Sequence, residues 1–396
     1  MAKVELALQV LTGAEATAHA MRQIRPDVVP VYPITPQTPI IQTFSRFVAD
    51  GKTDTVLVQV ESEHSAMSAA VGSALAGART MTATASQGLA LMVEVVYIAA
   101  GLRAPVVIAV GNRALSGPIN IHGDHSDGML ARDSGAVQIY ALDAQEAYDL
   151  TVMAPRVAEH ARVLLPVMVG QDGFNVTHSA EPVALLPDEE VQAFVGPYEI
   201  PYALLDGNAP SSHGVFAMPD SYFELRHQMI SAVEAAERVY GEVAEDYRRL
   251  FGRWLPALDA YRMEDAERAL ILIGSAAGTA KEVVDDLRAA GEKVGLVAVR
   301  LYRPFPHQAL REVLAGVKRV AVLDRAASPG TYPPLFSDAL GAVQGTQVEL
   351  RSYVYGLGGR DLPLRAVHRA FRELLAPAHA RIGYLGLVGE DDDGES

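Results

Sequence analysis

The sequence predicts an α/β fold: a doubly wound, mostly parallel sheet followed by a smaller α/β domain. Three observations support this prediction. Apolar segments alternate with helix-like segments between residues 28 and 169, a second alternating series begins at Ala269, and 396 residues suffice for two hydrophobic cores. Alternation favours parallel strands because each helix returns the chain to the same end of the sheet.

The first series contains six predicted strands, each a short run rich in β-branched and other apolar residues. They span 28–32, 55–60, 80–84, 105–110, 137–142 and 164–169. Helix-like segments lie between them at 65–76, 89–99 and 145–159. A further helix, AEATAHAM, is predicted to begin at a cap on Thr12.

The first of these strands ends in a proline-rich loop, YPITPQTPI at 32–40. Each proline removes a backbone donor and disfavours helix at the preceding residue, so neither a helix nor an inner strand can continue here. We expect Thr38 to cap the next helix with Pro39 at its first position. The loop would present Thr35 to a ligand, although a well-made turn without a ligand is an equal alternative for the loop alone.

After the first series, the periodicity fades over 171–219, which we predict to be an irregular arm. A helix at 221–251 follows, and Ser221 and Glu224 have capping-box spacing. Its apolar residues recur at steps of three and four, which predicts packing on its own domain, with a partner-facing surface as the alternative. They are Met229, Val233, Ala236, Tyr240, Val243, Tyr247 and Leu250.

The second series has four predicted strands, in ALILIG, KVGLVAVR, RVAVLDR and VELRSYVY. We therefore divide the chain into a first domain at 1–255 and a second at 266–380. The acidic tail at 389–396 is predicted to be disordered.

Composition limits the classes of partner. The hydrophobic fraction of 49% and charged fraction of 20% are ordinary for a globular protein. The formal charge is −15, from 33 basic and 48 acidic residues, and no basic cluster is present. These features predict no nucleic-acid partner.

The chain contains no cysteine. Disulfides, thiolate zinc sites and cysteine nucleophiles are thereby excluded, and this chain cannot hold a cysteine-ligated iron–sulfur cluster by itself. The sequence shows neither a signal peptide nor an apolar run of membrane-spanning length, so we expect a cytoplasmic protein without a membrane partner.

Four polar segments follow four different predicted strands of the first sheet: Thr35, Glu63, Ser86-Gln87-Gly88 and Arg113. In a parallel sheet, all four would lie on the carboxyl edge, where open α/β sheets bind ligands. Glu63 stands where a strand becomes a helix, so it either caps the helix dipole or serves as the proton partner of a cofactor nitrogen. Arg113 is either a carboxylate clamp or an ordinary salt-bridge residue.

The loop from His122 to Asp127 contains two imidazoles and two carboxylates. A metal site is one interpretation, but the spacing does not fit a helix face, and an ordered active-site or interface loop is favoured. Ser86 is not a nucleophile elbow, because Thr84 occupies the place of the required glycine. The turn at Gly274 and Gly278 lacks the full spacing of a nucleotide-binding loop.

Several long motifs resemble one family, the α subunits of multi-subunit 2-oxoacid:ferredoxin oxidoreductases, especially the separate-chain pyruvate:ferredoxin oxidoreductase type. The resemblance extends over nearly the whole chain. The motifs are YPITPQTPI, VESEHSAMSAAVGSALAGARTMTATASQGLALM, GNR ending at Arg113, GDHSD and YGLGGRD.

The resemblance implies a thiamine diphosphate enzyme that oxidatively decarboxylates a 2-oxoacid, pyruvate first, to acetyl-CoA and CO₂ and passes electrons to ferredoxin. In this family the α chain is of the pyrimidine-binding type. Partner subunits of β, γ and δ type hold Mg²⁺, the cofactor's diphosphate and the [4Fe-4S] clusters, and coenzyme A accepts the acyl group. The second domain is similar to the transketolase C-terminal domain and would support assembly.

The resemblance also implies roles for individual residues. Glu63 would bond the pyrimidine ring nitrogen, Thr35 would contact the substrate, and Arg113 would pair with its carboxylate. Further cofactor contacts would come from Pro33, Ile34, Ser86 and Gln87.

Several alternatives remain open from the sequence. The substrate could instead be a branched-chain 2-oxoacid or 2-oxoglutarate, and the enzyme could be a 2-oxoacid dehydrogenase or transketolase type. A metal hydrolase using His122, Asp124 and His125 belongs to another class, as does a scaffold without chemistry of its own.

Overall fold

A computed structural model describes residues 6–377 and 382–389, which form two mostly parallel sheets and a two-stranded ribbon. The predicted α/β class, with strands alternating with helices, is confirmed. The acidic tail predicted at 389–396 lies outside the described residues except for Gly389.

The first sheet has seven strands in the order β12-β6-β7-β5-β4-β2-β3. Every neighbouring pair is parallel except β12 with β6. The strands are β2 (Val28–Val31), β3 (Val56–Gln59), β4 (Thr80–Thr84), β5 (Val106–Asn112), β6 (Val137–Tyr140), β7 (Val167–Asp172) and β12 (Leu301–Arg303). The last of these comes from the second series, so the two predicted domains share this sheet.

Helices cover the faces of the first sheet, and their buried alanine-rich sides allow close approach to the strands. They are α1 (Gly13–Ile24), α2 (Thr38–Ala49), α3 (Glu63–Ala76), α4 (Ser86–Leu102), α5 (Ser126–Leu130) and α6 (Ala144–Ala158). The predicted cap at Thr12 is confirmed, because its hydroxyl accepts a hydrogen bond from Glu15 N at 3.2 Å. The predicted cap at Thr38 is wrong: α2 begins at Thr38 itself, and Gln37 precedes it.

Part of the predicted irregular arm is regular. Strand β8 (Ala180–Leu185) pairs antiparallel with β1 (Ala7–Thr12), and α7 (Asp188–Val195) follows. The sequence signal was weak because β8 forms only a two-stranded ribbon, in which few positions are buried. From 197 to 219 the chain is irregular, as predicted.

Helix α8 (Tyr222–Phe251) lies against the first domain, as its apolar seam predicts. Residues such as Met229, Tyr240 and Tyr247 are buried in the core around the first sheet. The predicted capping box is wrong, since Ser221 makes no side-chain cap and its hydroxyl donates to Met218 O at 3.3 Å.

The second sheet has six strands in the order β15-β14-β13-β10-β11-β9, with β9 antiparallel to β11. Its strands are β9 (Leu258–Tyr261), β10 (Arg268–Leu272), β11 (Val294–Val299), β13 (Arg319–Asp324), β14 (Glu349–Tyr355) and β15 (Gly383–Leu385). Its helices are α9 (Ala276–Ala289), α10 (His307–Val313), α11 (Pro334–Val343) and α12 (Leu364–Glu373). A 3₁₀ turn, Leu357–Gly359, follows β14. The domain boundaries at 255 and 266 stay a prediction.

None of the helices in residues 6–377 and 382–389 has the length and apolar character needed to cross a membrane.

Candidate active site

The four polar segments lie at one edge of the first sheet. Strands β3, β2, β4 and β5 are neighbours in that order and run parallel. Glu63, Thr35, Ser86 and Arg113 therefore all follow the carboxyl ends of adjacent strands. The sequence-based expectation that these segments converge depends on parallel strands, and the topology provides them.

The proline-rich loop after β2 is held by Gln37. This fully buried side chain donates from Nε2 to Ala83 O at 3.0 Å and accepts at Oε1 from Ile34 N at 3.2 Å. The loop is thereby fixed to the end of β4, while Thr35 and Pro33 stay exposed. Gln37 is a positioning residue that sequence reasoning missed, because its glutamine side chain gave no sign of being buried.

Arg113 links the end of β5 to this loop. Its Nη1 donates to Thr35 O at 3.0 Å, and its Nε donates to Asn120 O at 2.8 Å. The side chain is only 7% exposed, and it forms no ion pair with any carboxylate of the described residues. Burial lowers the pKa of Arg113, which Asp127 partly opposes. Carbonyl oxygens carry no full negative charge, so they do not neutralise this guanidinium. It therefore remains available to pair with an anionic ligand.

Glu63 is the first residue of α3, and its side chain is 7% exposed. The carboxylate has no hydrogen-bond partner in the part of the chain described here, and its oxygens are not among the fully buried unpartnered atoms, so the group can still be reached by a ligand. The adjacent Ser62 caps the helix by accepting from Ser65 N at 3.2 Å, so the capping interpretation of Glu63 is not needed.

A glycine in the first turn of α4 lets this carboxylate pack directly against the helix. A Cβ atom on Gly88 would lie 2.7 Å from Glu63 Oε1 and 2.6 Å from Thr84 Oγ1. The Thr84 hydroxyl is itself buried without a partner. Only a glycine at position 88 therefore allows Glu63 and Thr84 to lie this close to the backbone of α4.

Ser86 and Gln87 begin α4 in a constrained arrangement. Ser86 has a left-handed φ of 48°, and its hydroxyl oxygen lies 2.6 Å from both Ala114 O and Gln87 Oε1. The Ser86 side chain is therefore engaged within the chain, whereas Gln87 is half-buried. A strained backbone at the start of a helix is common where a site is held in shape.

Asp127 holds the ends of two strands in place. One oxygen accepts from Ser86 N at 2.8 Å and Arg113 N at 2.9 Å, and the other accepts from Asn112 Nδ2 at 2.9 Å and Gly128 N at 2.7 Å. Burial raises its pKa to about 6, although these hydrogen bonds act in the opposite direction. Asp127 thus fixes the backbone at both Ser86 and Arg113.

Two further residues of the loop, His125 and Asp124, are also bound within the chain. His125 Nε2 lies 2.6 Å from Asp172 Oδ1, and Asp124 accepts from Ser126 N at 2.9 Å and Gly358 N at 3.1 Å. Residues 6–377 and 382–389 include no group of three potential ligands that could hold a metal. This arrangement contradicts the metal-hydrolase alternative and supports an ordered active-site loop.

The chain has a two-sheet α/β fold that a 2-oxoacid oxidoreductase and a transketolase of known structure share. A 2-oxoglutarate:ferredoxin oxidoreductase from Magnetococcus marinus superposes with a TM-score of 0.73 over 93% of this chain and 65% of that chain, at 20% identity. A split-gene transketolase, an inactive β4 tetramer, has a TM-score of 0.56 over 93% of this chain and 99% of that one, at 14% identity.

Sequence comparisons give the particular family. Residues 19–245 match the thiamine diphosphate-binding domain of pyruvate flavodoxin/ferredoxin oxidoreductase, and 266–367 match pyruvate:ferredoxin oxidoreductase core domain II. The chain belongs to the pyruvate flavodoxin/ferredoxin oxidoreductase family, as the resemblance implied.

Two curated relatives cover most of the chain. Pyruvate synthase subunit PorA of Thermotoga maritima is 53% identical over 92% of this chain and 94% of its own length. Ketoisovalerate oxidoreductase subunit VorA of Pyrococcus horikoshii is 42% identical over 91% of each chain.

Proposed function

We propose that this chain is the α subunit of a thiamine diphosphate-dependent pyruvate:ferredoxin oxidoreductase. Together with its partners, it converts pyruvate, coenzyme A and two oxidised ferredoxins into acetyl-CoA, CO₂, a proton and two reduced ferredoxins. One observation carries the proposal: Glu63 and Arg113 share a sheet edge. Glu63 is a largely buried residue whose carboxylate has no hydrogen-bond partner among the described residues, and the buried guanidinium of Arg113 pairs with no carboxylate there.

The residues around Glu63 fit an aminopyrimidine ring. The Glu63 residue is largely buried, its carboxylate has no hydrogen-bond partner among the described residues, and Gly88 lets it pack against the start of α4. When bound, thiamine diphosphate supplies a nucleophilic carbon for the keto group and accepts the electrons that CO₂ leaves behind. Glu63 hydrogen-bonds a ring nitrogen and holds a proton there, since a carboxylate stabilises the protonated ring.

Arg113 binds the substrate carboxylate. Its Nε and Nη1 are held by Asn120 O and Thr35 O, so the guanidinium is oriented before the substrate arrives. Preorganisation of this kind lowers the entropic cost of binding. The exposed Thr35 contacts the substrate, and Pro33, Ile34 and Gln87 line the cofactor.

Ser86 has a different role from that of the other proposed cofactor contacts. Because its hydroxyl is bonded to Ala114 O, we infer that it acts on the cofactor through the backbone at the start of α4.

The complex requires other chains. This chain has no cysteine, so the [4Fe-4S] clusters that carry single electrons must lie on partner subunits of β, γ and δ type. We place Mg²⁺ and the diphosphate on the β-type partner, and ferredoxin and coenzyme A among the other partners. The cytoplasm is the proposed location.

Pyruvate is favoured over the alternatives because the relative with 53% identity is a pyruvate synthase subunit. A branched-chain 2-oxoacid is second, since a ketoisovalerate oxidoreductase subunit is 42% identical. 2-Oxoglutarate is third, because the 2-oxoglutarate enzyme is related only at the level of the fold.

The test is to purify the native complex and to measure ferredoxin reduction with coenzyme A and each of the three 2-oxoacids. We expect the highest kcat/KM with pyruvate. No reduction with any of them, combined with acyl transfer to lipoyl or sugar acceptors, would instead support the 2-oxoacid dehydrogenase or transketolase alternative. Full activity of a Glu63→Gln complex would support the scaffold alternative.

A further inference from the structure

A glycine-rich turn from the second domain lies against the loop that holds Arg113. Both backbone polar groups of Gly358 are engaged there: its N–H donates to Asp124 Oδ2 at 3.1 Å, and its carbonyl accepts from Asn120 Nδ2 at 3.0 Å. The motif YGLGGRD at 355–361 therefore contacts the first domain beside the candidate substrate site.

Asn120 connects this turn to the arginine. Its side-chain oxygen accepts from His122 N at 2.6 Å, and its backbone carbonyl accepts from Arg113 Nε at 2.8 Å. Residues 116–119, which precede it, are exposed. The two side-chain hydrogen bonds of Asn120 thus set the position of the carbonyl that orients Arg113.

Glycine is required at the contact for steric reasons. A Cβ atom on Gly358 would lie 2.5 Å from Asn120 Nδ2, and one on Gly359 would lie 2.3 Å from His122 Cβ. Both glycines also have left-handed φ values, 61° and 83°. Any side chain on either glycine would push the loop that carries Asn120 away from the second domain.

We propose that Asn120, Gly358 and Gly359 are positioning residues for Arg113, so that the second domain contributes directly to 2-oxoacid affinity. This inference rests on the proposed function of Arg113. The second domain would then do more than support assembly, because its glycine turn fixes the direction of the substrate-binding guanidinium.

The first test is Asn120→Ala in the assembled complex. Asn120 is half-buried in a loop, so the variant is expected to fold with an unchanged melting temperature. We expect the KM for pyruvate to rise about five- to tenfold while kcat stays within about twofold, because substrate binding is affected more than the chemical step. The KM for coenzyme A is the internal control and should not change.

A readout independent of turnover is the binding of oxamate, a non-decarboxylating analogue of pyruvate, measured by calorimetry. Its Kd should rise by a factor similar to that of the KM. Amide hydrogen exchange across residues 114–122 should also become faster in the variant, since the anchor of the loop is lost.

The second test compares two glycines with similar backbone conformations. Gly359→Ala should weaken oxamate binding by more than Asn120→Ala, because it displaces His122. Gly291→Ala is the matched control: its φ is 86°, and a Cβ atom there would meet nothing within 4 Å. Gly291→Ala should therefore carry the same kind of backbone strain without any change in oxamate affinity.

The outcomes separate this inference from the proposed function. If the wild-type complex does not reduce ferredoxin with a 2-oxoacid, the proposed function fails first. If the wild-type complex is active but Asn120→Ala keeps the wild-type KM and oxamate Kd, only the inference is overturned. An equal loss of oxamate affinity in Gly359→Ala and Gly291→Ala would overturn it as well.

Discussion

The Glu63 carboxylate lies so close to Gly88 that a single methyl group there would approach Oε1 to 2.7 Å. Glu63 is the first residue of α3 and Gly88 lies in the first turn of α4, at the same edge of the sheet. The absence of a side chain at Gly88 allows the carboxylate to take this position. A glycine within a helix normally lowers stability, but here it is part of the site.

Gly88→Ala should therefore weaken thiamine diphosphate binding by about tenfold or more, because the new methyl group displaces Glu63. The measurement is turnover of the complex as a function of thiamine diphosphate concentration. Gly101→Ala is the matched control in the same helix, where a Cβ atom would meet nothing within 4 Å. It should leave cofactor affinity unchanged and raise stability by up to about 1 kcal/mol. Equal cofactor affinities in the two variants would contradict the role of Gly88.

Glu63→Gln should lower kcat by about 10²- to 10⁴-fold, since a neutral amide cannot hold the proton on the cofactor ring as a carboxylate does. Folding should be retained, because the carboxylate has no partner to lose in the described residues. The control is Glu61→Gln, an exposed carboxylate two residues away that hydrogen-bonds the Ser65 hydroxyl. Rapid single-turnover measurements check the prediction, and a wild-type rate in Glu63→Gln would falsify it.

The convergence of Thr35, Glu63 and Arg113 could be predicted from sequence because it requires only parallel strands. Each residue follows an apolar strand, and the carboxyl ends of parallel strands share an edge. The roles of these residues stay predictions, but their common location is a property of the fold.

The interactions that hold the edge in shape could not be predicted from sequence. Asp127 accepts from the backbone of Ser86 and Arg113, and such contacts depend on loop conformations that no sequence pattern encodes. Gln37 is similar, because its partner Ala83 belongs to another strand. Strand β12 was missed for a related reason: three residues of the second series pair with a strand of the first sheet.

Arg113→Lys should raise the KM for pyruvate by about 10- to 100-fold, with a smaller effect on kcat. A single ammonium group cannot donate to Thr35 O and Asn120 O and also form a paired contact with the substrate carboxylate. Steady-state kinetics of the assembled complex measure the effect. Arg311→Lys, the same substitution at an exposed arginine of the second domain, is the matched control and should leave the KM unchanged. An unchanged KM in Arg113→Lys would argue against the carboxylate clamp.

Asp172 makes the stability of the chain depend on pH in the acidic range. It lies between His125 Nε2, at 2.6 Å, and Arg325 Nη1, at 2.9 Å, and so joins the two predicted domains. Burial alone would raise its pKa, but these two partners outweigh that effect and hold the pKa well below its usual value of 3.8. Because the pKa is lower in the folded state, the stabilisation is present above about pH 4 and is lost as the pH falls further.

Asp172→Asn should therefore reduce the free energy of unfolding at pH 7 by about 3–5 kcal/mol, since it leaves Arg325 buried without its carboxylate. The difference in free energy of unfolding between wild type and Asp172→Asn should become smaller as the pH is lowered from 5 to 3. Urea unfolding followed by fluorescence of Trp254, the single tryptophan, gives the measurement. Asp50→Asn, at an exposed ion pair with Lys52, is the control and should show no pH-dependent difference. Only a titrating carboxylate loses its stabilising effect on protonation. If the difference in free energy of unfolding between wild type and Asp172→Asn stays constant from pH 7 to pH 3, the charge of Asp172 is not what joins the domains.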